Sequence, residues 1–252
     1  MLDSRPRTAI GLPVAMAASA VLAQVSYPLV RGTARNDLAI AIVLLYAAAA
    51  FVHAAFSRGR CAVLVLLGST VGFGFAVEVL GVHTGIPFGR YAYGSSLGPT
   101  LLGVPLVIAF AWTMLAWPAA LVARRLVSSL GARVLLGGWA LATWDLFLDP
   151  QMVAAGHWRW LDPTPHLPDV PDVPLTNYLG WLAVALVMSY LLQRALAARP
   201  HGDDRVAYGL YLWTWASSAL ALAAFLGLPG AALWGALAMG TVAVPLACSL
   251  RT

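Results

Sequence analysis

Residues 38–56 read LAIAIVLLYAAAAFVHAAF, nineteen residues without one charged side chain. A helix needs about 20 apolar residues to cross the hydrocarbon of a bilayer, so this stretch already restricts what the chain can fold into. It is not isolated. Comparable runs occupy about 10–30, 61–81, 100–123, 131–149, 175–198, 206–227 and 230–250. They are continuous rather than alternating, and much longer than the roughly ten residues of a barrel strand, so they read as helices. Only 10% of the 252 residues are charged and 61% are hydrophobic, where soluble domains average about 25% charged and 45–50% apolar. So few charges cannot cover a water-facing surface. The sequence predicts an all-α, polytopic transmembrane helical bundle of about eight spans, one integral membrane domain over 1–252. Seven spans are the alternative, because only GLPG (227–230) separates the last two.

Orientation follows from the basic residues, all fifteen of them arginine. Eleven, from Arg5 and Arg7 through Arg199 to Arg251, fall on the side of the N-terminus; Arg31, Arg35, Arg90 and Arg159 fall on the other. The positive-inside rule places the richer side, and both termini, in the cytoplasm of a multi-pass cell-membrane protein. The arginines are scattered, so the net charge of +5 implies no nucleic-acid partner. Cys61 and Cys248 stand far apart in apolar segments and suggest neither a disulfide framework nor a metal site. The N-terminal stretch imitates a signal peptide, but its apolar run continues to Val30, as in a retained first span.

Two long connections, VHTGIPFGRYAYGSSLGP (82–99) and PQMVAAGHWRWLDPTPHLPDVPDVP (150–174), share the extracytoplasmic side. Loops of that length are usually functional or disordered. The first is rich in Gly and aromatic residues, which favours an ordered capping or re-entrant role.

The polar residues converge on that side. Glu78, the one Glu in the chain, ends the third span, and Asp145 and Asp149 lie in the last turns of the fifth. Thr176 and Asn177 open the sixth span and Thr100 the fourth, while His83, Arg90, Tyr91, Tyr93 and His157 belong to the two loops. Asp149, just before Pro150, also suits a membrane boundary. Asp145 and Glu78 lie deeper, and a carboxylate at mid-span costs about 2.5–3.5 kcal/mol on insertion scales. Such groups usually face a protein interior or wet cavity and serve function. Positions i and i+4 share a helix face, so Asp145 and Asp149 point together. Two neighbouring carboxylates cannot both ionise cheaply, and a carboxylic acid that keeps its proton in an apolar cavity is a general acid.

Most of the tryptophans, among them Trp112, Trp117, Trp139 and Trp181, read as belt or packing residues. Trp144 beside Asp145, and HWRW at 157–160, flank the acids and are better placed to line a site, where an aromatic face stabilises a developing cation. His83 and His157 match no metal-binding spacing. His53 reads as a satisfied helix-end residue. Gly68 and Gly72 form a small-xxx-small face that predicts close helix packing.

GIPFGRYAYGSSLGPTLLGVPL, WDLFLDPQM and NYLGW together resemble the membrane-embedded carotenoid hydratases of the CruF type, which include the bisanhydrobacterioruberin hydratases. The resemblance covers roughly 70–185, the motif-bearing core. It implies addition of water across the terminal C1–C2 double bond of a linear, ψ-end carotenoid, C40 or C50, giving a tertiary alcohol with no organic cofactor. The partner would be the carotenoid itself within the bilayer, alongside other membrane enzymes of carotenoid biosynthesis. Carried onto this sequence, Asp145, Asp149, Glu78 and Asn177 would be catalytic. Trp144, Arg90, Tyr91, Tyr93, His157, Trp158 and Trp181 would hold substrate. The approach to the sixth span, LDPTPHLPDVPDVPLTN, is richer in Pro and Asp than that family's pattern, a departure that bears on substrate preference more than on chemistry.

Two other classes compete. A proton-coupled transporter would also use intramembrane carboxylates, but no internal repeat is visible and the polar groups bunch at one face rather than the midplane. A membrane prenyltransferase must hold a diphosphate through metal ions and so needs two acidic clusters with basic partners, where this chain offers one Asp pair. A carotenoid-holding protein without catalysis would leave the intramembrane acids unexplained.

Overall fold

The computed structural model describes residues 8–197 and 202–251; Arg5, Arg7 and Arg199 of the orientation argument lie outside them. The described chain is an all-α bundle of eight helical segments. Six are long and apolar enough to cross a membrane, and the protein is a membrane protein. They contain α1 (Thr8–Ser26), α2 (Thr33–Arg58), α3 (Arg60–Thr84), α4 (Leu106–Leu126), α7 (Leu175–Leu196) and α9 (Pro229–Ser249). The fifth segment is divided into α5 (Leu130–Ala142) and α6 (Asp145–Ala154), and the seventh, α8 (Arg205–Ala224), carries Thr214, Ser217 and Ser218. Leu22, Leu64, Leu135 and Leu237 are more than 60% exposed on the outside of the bundle. In water such a surface would drive association; against lipid tails it matches its solvent.

Helix α4 is the axis. In its most apolar stretch 83% of residues are buried, against 17–44% in the other five, which is why it reads as apolar all round rather than amphipathic. Helices α5 and α7 pack closely because Gly137 and Gly138 leave no room for a side chain: a Cβ at Gly137 would stand 2.6 Å from Ser189 Oγ.

Two irregularities position the polar groups. In α3, residues Leu67–Gly72 form a π-helical turn, a feature common at functional sites. The inward face carries Leu66 before the turn, Ser69 and Thr70 within it, and Gly74, Glu78 and Gly81 after it. The expected packing role of Gly68 and Gly72 is corrected here. Both are exposed, and a Cβ on Gly68 would meet nothing within 4 Å. The close approach belongs to Gly74, whose Cβ would lie 2.6 Å from Trp112 Cδ1. The fifth segment does not run unbroken to Pro150 either. It breaks at Thr143–Trp144, where Trp144 N–H donates three residues back to the Leu141 carbonyl at 3.3 Å, then restarts at Asp145 and passes through Pro150 to Ala154. Asp145 thus opens a helix rather than closing one, and the positive end of the helix dipole favours an acid there.

The long loops are ordered and paired. Strand β1 (Tyr91–Tyr93) runs antiparallel to β4 (Trp158–Trp160), with Tyr91 opposite Trp160 and Tyr93 opposite Trp158. Side chains alternate across a strand, so these four aromatics share the inner face while Ala92 and Arg159 face out. Two smaller ribbons, β2 (Thr100–Leu101) with β3 (Val104–Pro105) and β5 (His166–Leu167) with β6 (Val170–Pro174), complete the cap. The Pro- and Asp-rich stretch sits over α9: Trp234 Nε1 donates to the Pro168 carbonyl at 3.0 Å.

Candidate active site beneath the loop cap

Beneath the cap lies a cavity of about 440 Å3 whose walls are mostly apolar. Glu78 enters it from α3, 5% exposed. Its Oε2 accepts from Tyr91 Oη at 2.6 Å and from Tyr93 Oη at 2.8 Å, and its Oε1 accepts from Trp112 Nε1 at 3.2 Å. Three donors on one carboxylate suit the ionised form, since each bond to it is charge-assisted. Burial first, and then the neighbouring Glu78 charge, pushes the hydroxyls of Tyr91 and Tyr93 well above the usual phenol range, so both remain donors. Gly81 makes the arrangement possible: a Cβ there would stand 2.7 Å from Tyr91 Oη.

Opposite stands the aspartate pair. Asp149 lines the cavity; its Oδ1 accepts from Trp158 Nε1 at 3.1 Å and its Oδ2 from Asn177 Nδ2. The same amide nitrogen donates to Asp145 Oδ2 at 2.7 Å. Asn177, at the start of α7, therefore clamps both carboxyls side by side. Asp145 is wholly buried behind Asp149 and does not line the cavity, and no donor reaches its Oδ1. Two carboxyls held side by side by one amide can carry a single proton between them, which avoids two adjacent charges.

Aromatic rings surround these acids. Trp112 stacks on Trp181 at 4.0 Å between centroids, and Trp144 meets Trp181 edge-on at 6.0 Å. Tyr91 and Tyr93 contact Trp160 and Trp158 at 5.9 and 5.7 Å. Most of the residues singled out in the sequence thus meet in one cavity: Glu78, Asp149 and Asn177 with Trp144, Tyr91, Tyr93, Trp158 and Trp181. Three do not enter it. Asp145 stands behind; Arg90 is exposed on the loop surface; His157 is buried with its Nδ1 on Ser96 Oγ at 2.7 Å, holding the two loops together. Thr100, Thr176 and His83 are exposed as well, and no residue of 161–174 lines the cavity.

Sequence reasoning missed Phe88 and read Trp112 as a belt or packing residue, whereas HWRW at 157–160, marked there as lining a site, supplies Trp158 and Trp160 to the cavity. Trp112 carried no signal: its indole reaches Glu78 only because Gly74 lets α3 approach α4. The opposite wall of the cavity was also unforeseen. There Gln24 Oε1 accepts from Tyr46 Oη at 2.6 Å and from Trp213 Nε1 at 2.8 Å. His53, away from the cavity, is satisfied as expected, bonded to the Asp203 carbonyl at 2.8 Å and accepting from Trp117 Nε1 at 3.0 Å.

Comparison with known proteins places the chain among relatives. A family profile described as carotenoid biosynthesis protein matches residues 38–246. Bisanhydrobacterioruberin hydratase of Haloarcula japonica is 32% identical over 176 residues, 61% of this chain and 55% of the relative. The chain thus matches about half the length of that curated protein. No solved structure matches.

Proposed function

We propose, from the premise that this chain belongs to the carotenoid biosynthesis protein family, that it is a carotenoid hydratase adding water across the terminal C1–C2 double bond of a linear, ψ-end carotenoid. The observation that carries this reading is the pair of opposed carboxylates, Glu78 and Asp149, facing one aromatic-walled cavity in an otherwise apolar bundle. The name of the Haloarcula relative points the same way.

In this reading the aspartate pair holds the proton and Asp149 presents it. Protonation at C2 breaks the π bond and leaves a tertiary cation at C1. The faces of Trp144, Trp181 and the cap tyrosines stabilise that charge, and Glu78 lies across the cavity as a fixed anion. Glu78 orients a water, takes one of its protons as the oxygen bonds to C1, and so completes the tertiary alcohol. The proton returns to the aspartate pair, and the cycle consumes one water and nothing else. Asp145 acts through Asp149, and Asn177 keeps the pair in register. No organic cofactor takes part. The substrate, C40 or C50, lies in the bilayer, and the site faces the extracytoplasmic side with both termini in the cytoplasm.

The test is expression in cells that accumulate lycopene or a C50 precursor with ψ ends, followed by chromatography and mass spectrometry of the pigments. The expected product has gained one water. Asp149→Asn and Glu78→Gln, present in the membrane at normal level, are expected to lose it; full conversion by both would sink the assignment.

A further inference from the structure

The cavity is closed at its acidic end and open at the other. Glu78, Asp149 and Asn177 are each at most 5% exposed, whereas four residues of the far wall, Val25, Leu29, Leu220 and Phe225, are 46%, 70%, 62% and 57% exposed. Residues that both line a cavity and face outward mark its mouth. The mouth lies between two helical elements. One is the end of α1 with the 3-10 turn Tyr27–Leu29 that follows it; the other is the C-terminal part of α8. These elements are clasped deeper in the bundle by the hydrogen bond from Trp213 Nε1 to Gln24 Oε1. From that clasp toward the loop cap, the cavity lies between them. All four rim residues are hydrocarbon, and all four are exposed on the outside of the bundle.

We propose that this mouth is the substrate's access route: the carotenoid passes sideways from the bilayer between α1 and α8, end group first, and the rest of the polyene stays outside in the lipid. The proposal rests on the hydratase reading and deepens it. The geometry makes recognition local to the end group, because only that end reaches the carboxylates. Chain length and the far end of the molecule then go unmeasured. Leu29 and Leu220 become residues that decide what is admitted without touching the reacting atoms.

The experiment uses the full chain in lipid nanodiscs with lycopene as the probe. Leu29→Trp and Leu220→Trp narrow the mouth, and Leu233→Trp, also on a lipid-facing surface (Leu233 is 60% exposed) but not part of the cavity, is the control. Lycopene binding is read from the shift of its absorption bands, which needs no turnover. Both mouth variants are expected to weaken binding by about tenfold or more, with the loss of kcat/KM carried by KM. The control should stay within about twofold of wild type, a difference below 0.5 kcal/mol. Because a bulky variant can fold badly, the double variant Leu29→Ala/Leu220→Ala supplies the opposite arm: a wider mouth should speed lycopene association. Wild-type binding in both Trp variants, or an unchanged association rate in the Ala pair, overturns the route. Binding that depends on the mouth with no hydrated product from wild type sinks the hydratase reading and leaves the route standing. Hydration untouched by the mouth variants sinks the route alone.

Discussion

Glu78 shows how far a single residue can be read. As the one Glu of a charge-poor chain, set inside an apolar run, it stood out as a candidate acid. Its state was not legible, because the donors that define it come from Tyr91, Tyr93 and Trp112, distant in sequence. Replacing it by Gln keeps the shape but removes the charge and sets an NH2 group against a donor at one of the two positions, where Tyr91 and Tyr93 or Trp112 now meet an oxygen. The expected result is a fall in hydration rate of about 10²–10⁴, the range for losing a general base, measured on purified enzyme in nanodiscs. Asn177→Leu is expected to lower the rate measured in the same assay comparably without touching either acid, since the amide that bridges Asp145 and Asp149 is then lost and only Trp158 still holds Asp149. His157 gives a pH signature. Burial lowers its pKa from the ordinary 6.5, so the unfolded chain takes up a proton that the folded one refuses. Below about pH 6.5 the unfolded state therefore binds more protons, and stability falls as pH drops. His157→Gln should flatten this acid limb in thermal unfolding followed between roughly pH 6.5 and 5.

At the scale of elements, helix existence was plain in the runs of apolar residues, whereas helix irregularity was not. The π turn at Leu67–Gly72 and the break at Thr143–Trp144 have no local composition that forces them. They arise where the bundle must turn Glu78 inward and restart a helix under Asp145. The glycines make the distinction testable. Gly74→Ala drives a Cβ into the Trp112 ring and should cost about 1–3 kcal/mol, as overpacking does. Gly68→Ala meets open space and should be neutral or slightly stabilising, because Ala is the better helix former. Comparative thermal unfolding in detergent decides between them. The loop cap was anticipated as ordered, and its alternating aromatics, YAY and WRW, carry the period of a strand. That these two strands pair with each other was beyond local reading.

For the whole molecule, orientation is the open physical question with a direct answer. Cys61, just inside the start of α3, and Cys248, near the end of α9, are both free and exposed. If the positive-inside assignment of the termini holds, a membrane-impermeant maleimide should label both from the cytoplasmic face of inverted vesicles and neither in intact cells. Labelling in intact cells would reverse the topology and move the carboxylates to the cytoplasmic side. The distribution of polar groups also weighs against transport: the carboxylates occupy one end of a cavity that opens toward lipid, with no acidic group on its far wall. By itself the sequence determined that this chain is a helical membrane bundle, because the length and apolarity of each run is a local property that the bilayer reads directly. It also marked Glu78, Asp145 and Asp149 as rare polar groups inside apolar runs, because each is costly in lipid wherever it sits. Only the tertiary structure decided which acids face the cavity, which indole completes the Glu78 site, and where the cavity opens. Those outcomes depend on how closely α3 meets α4 and where α1 stands away from α8, distances set by contacts between segments that no single stretch contains.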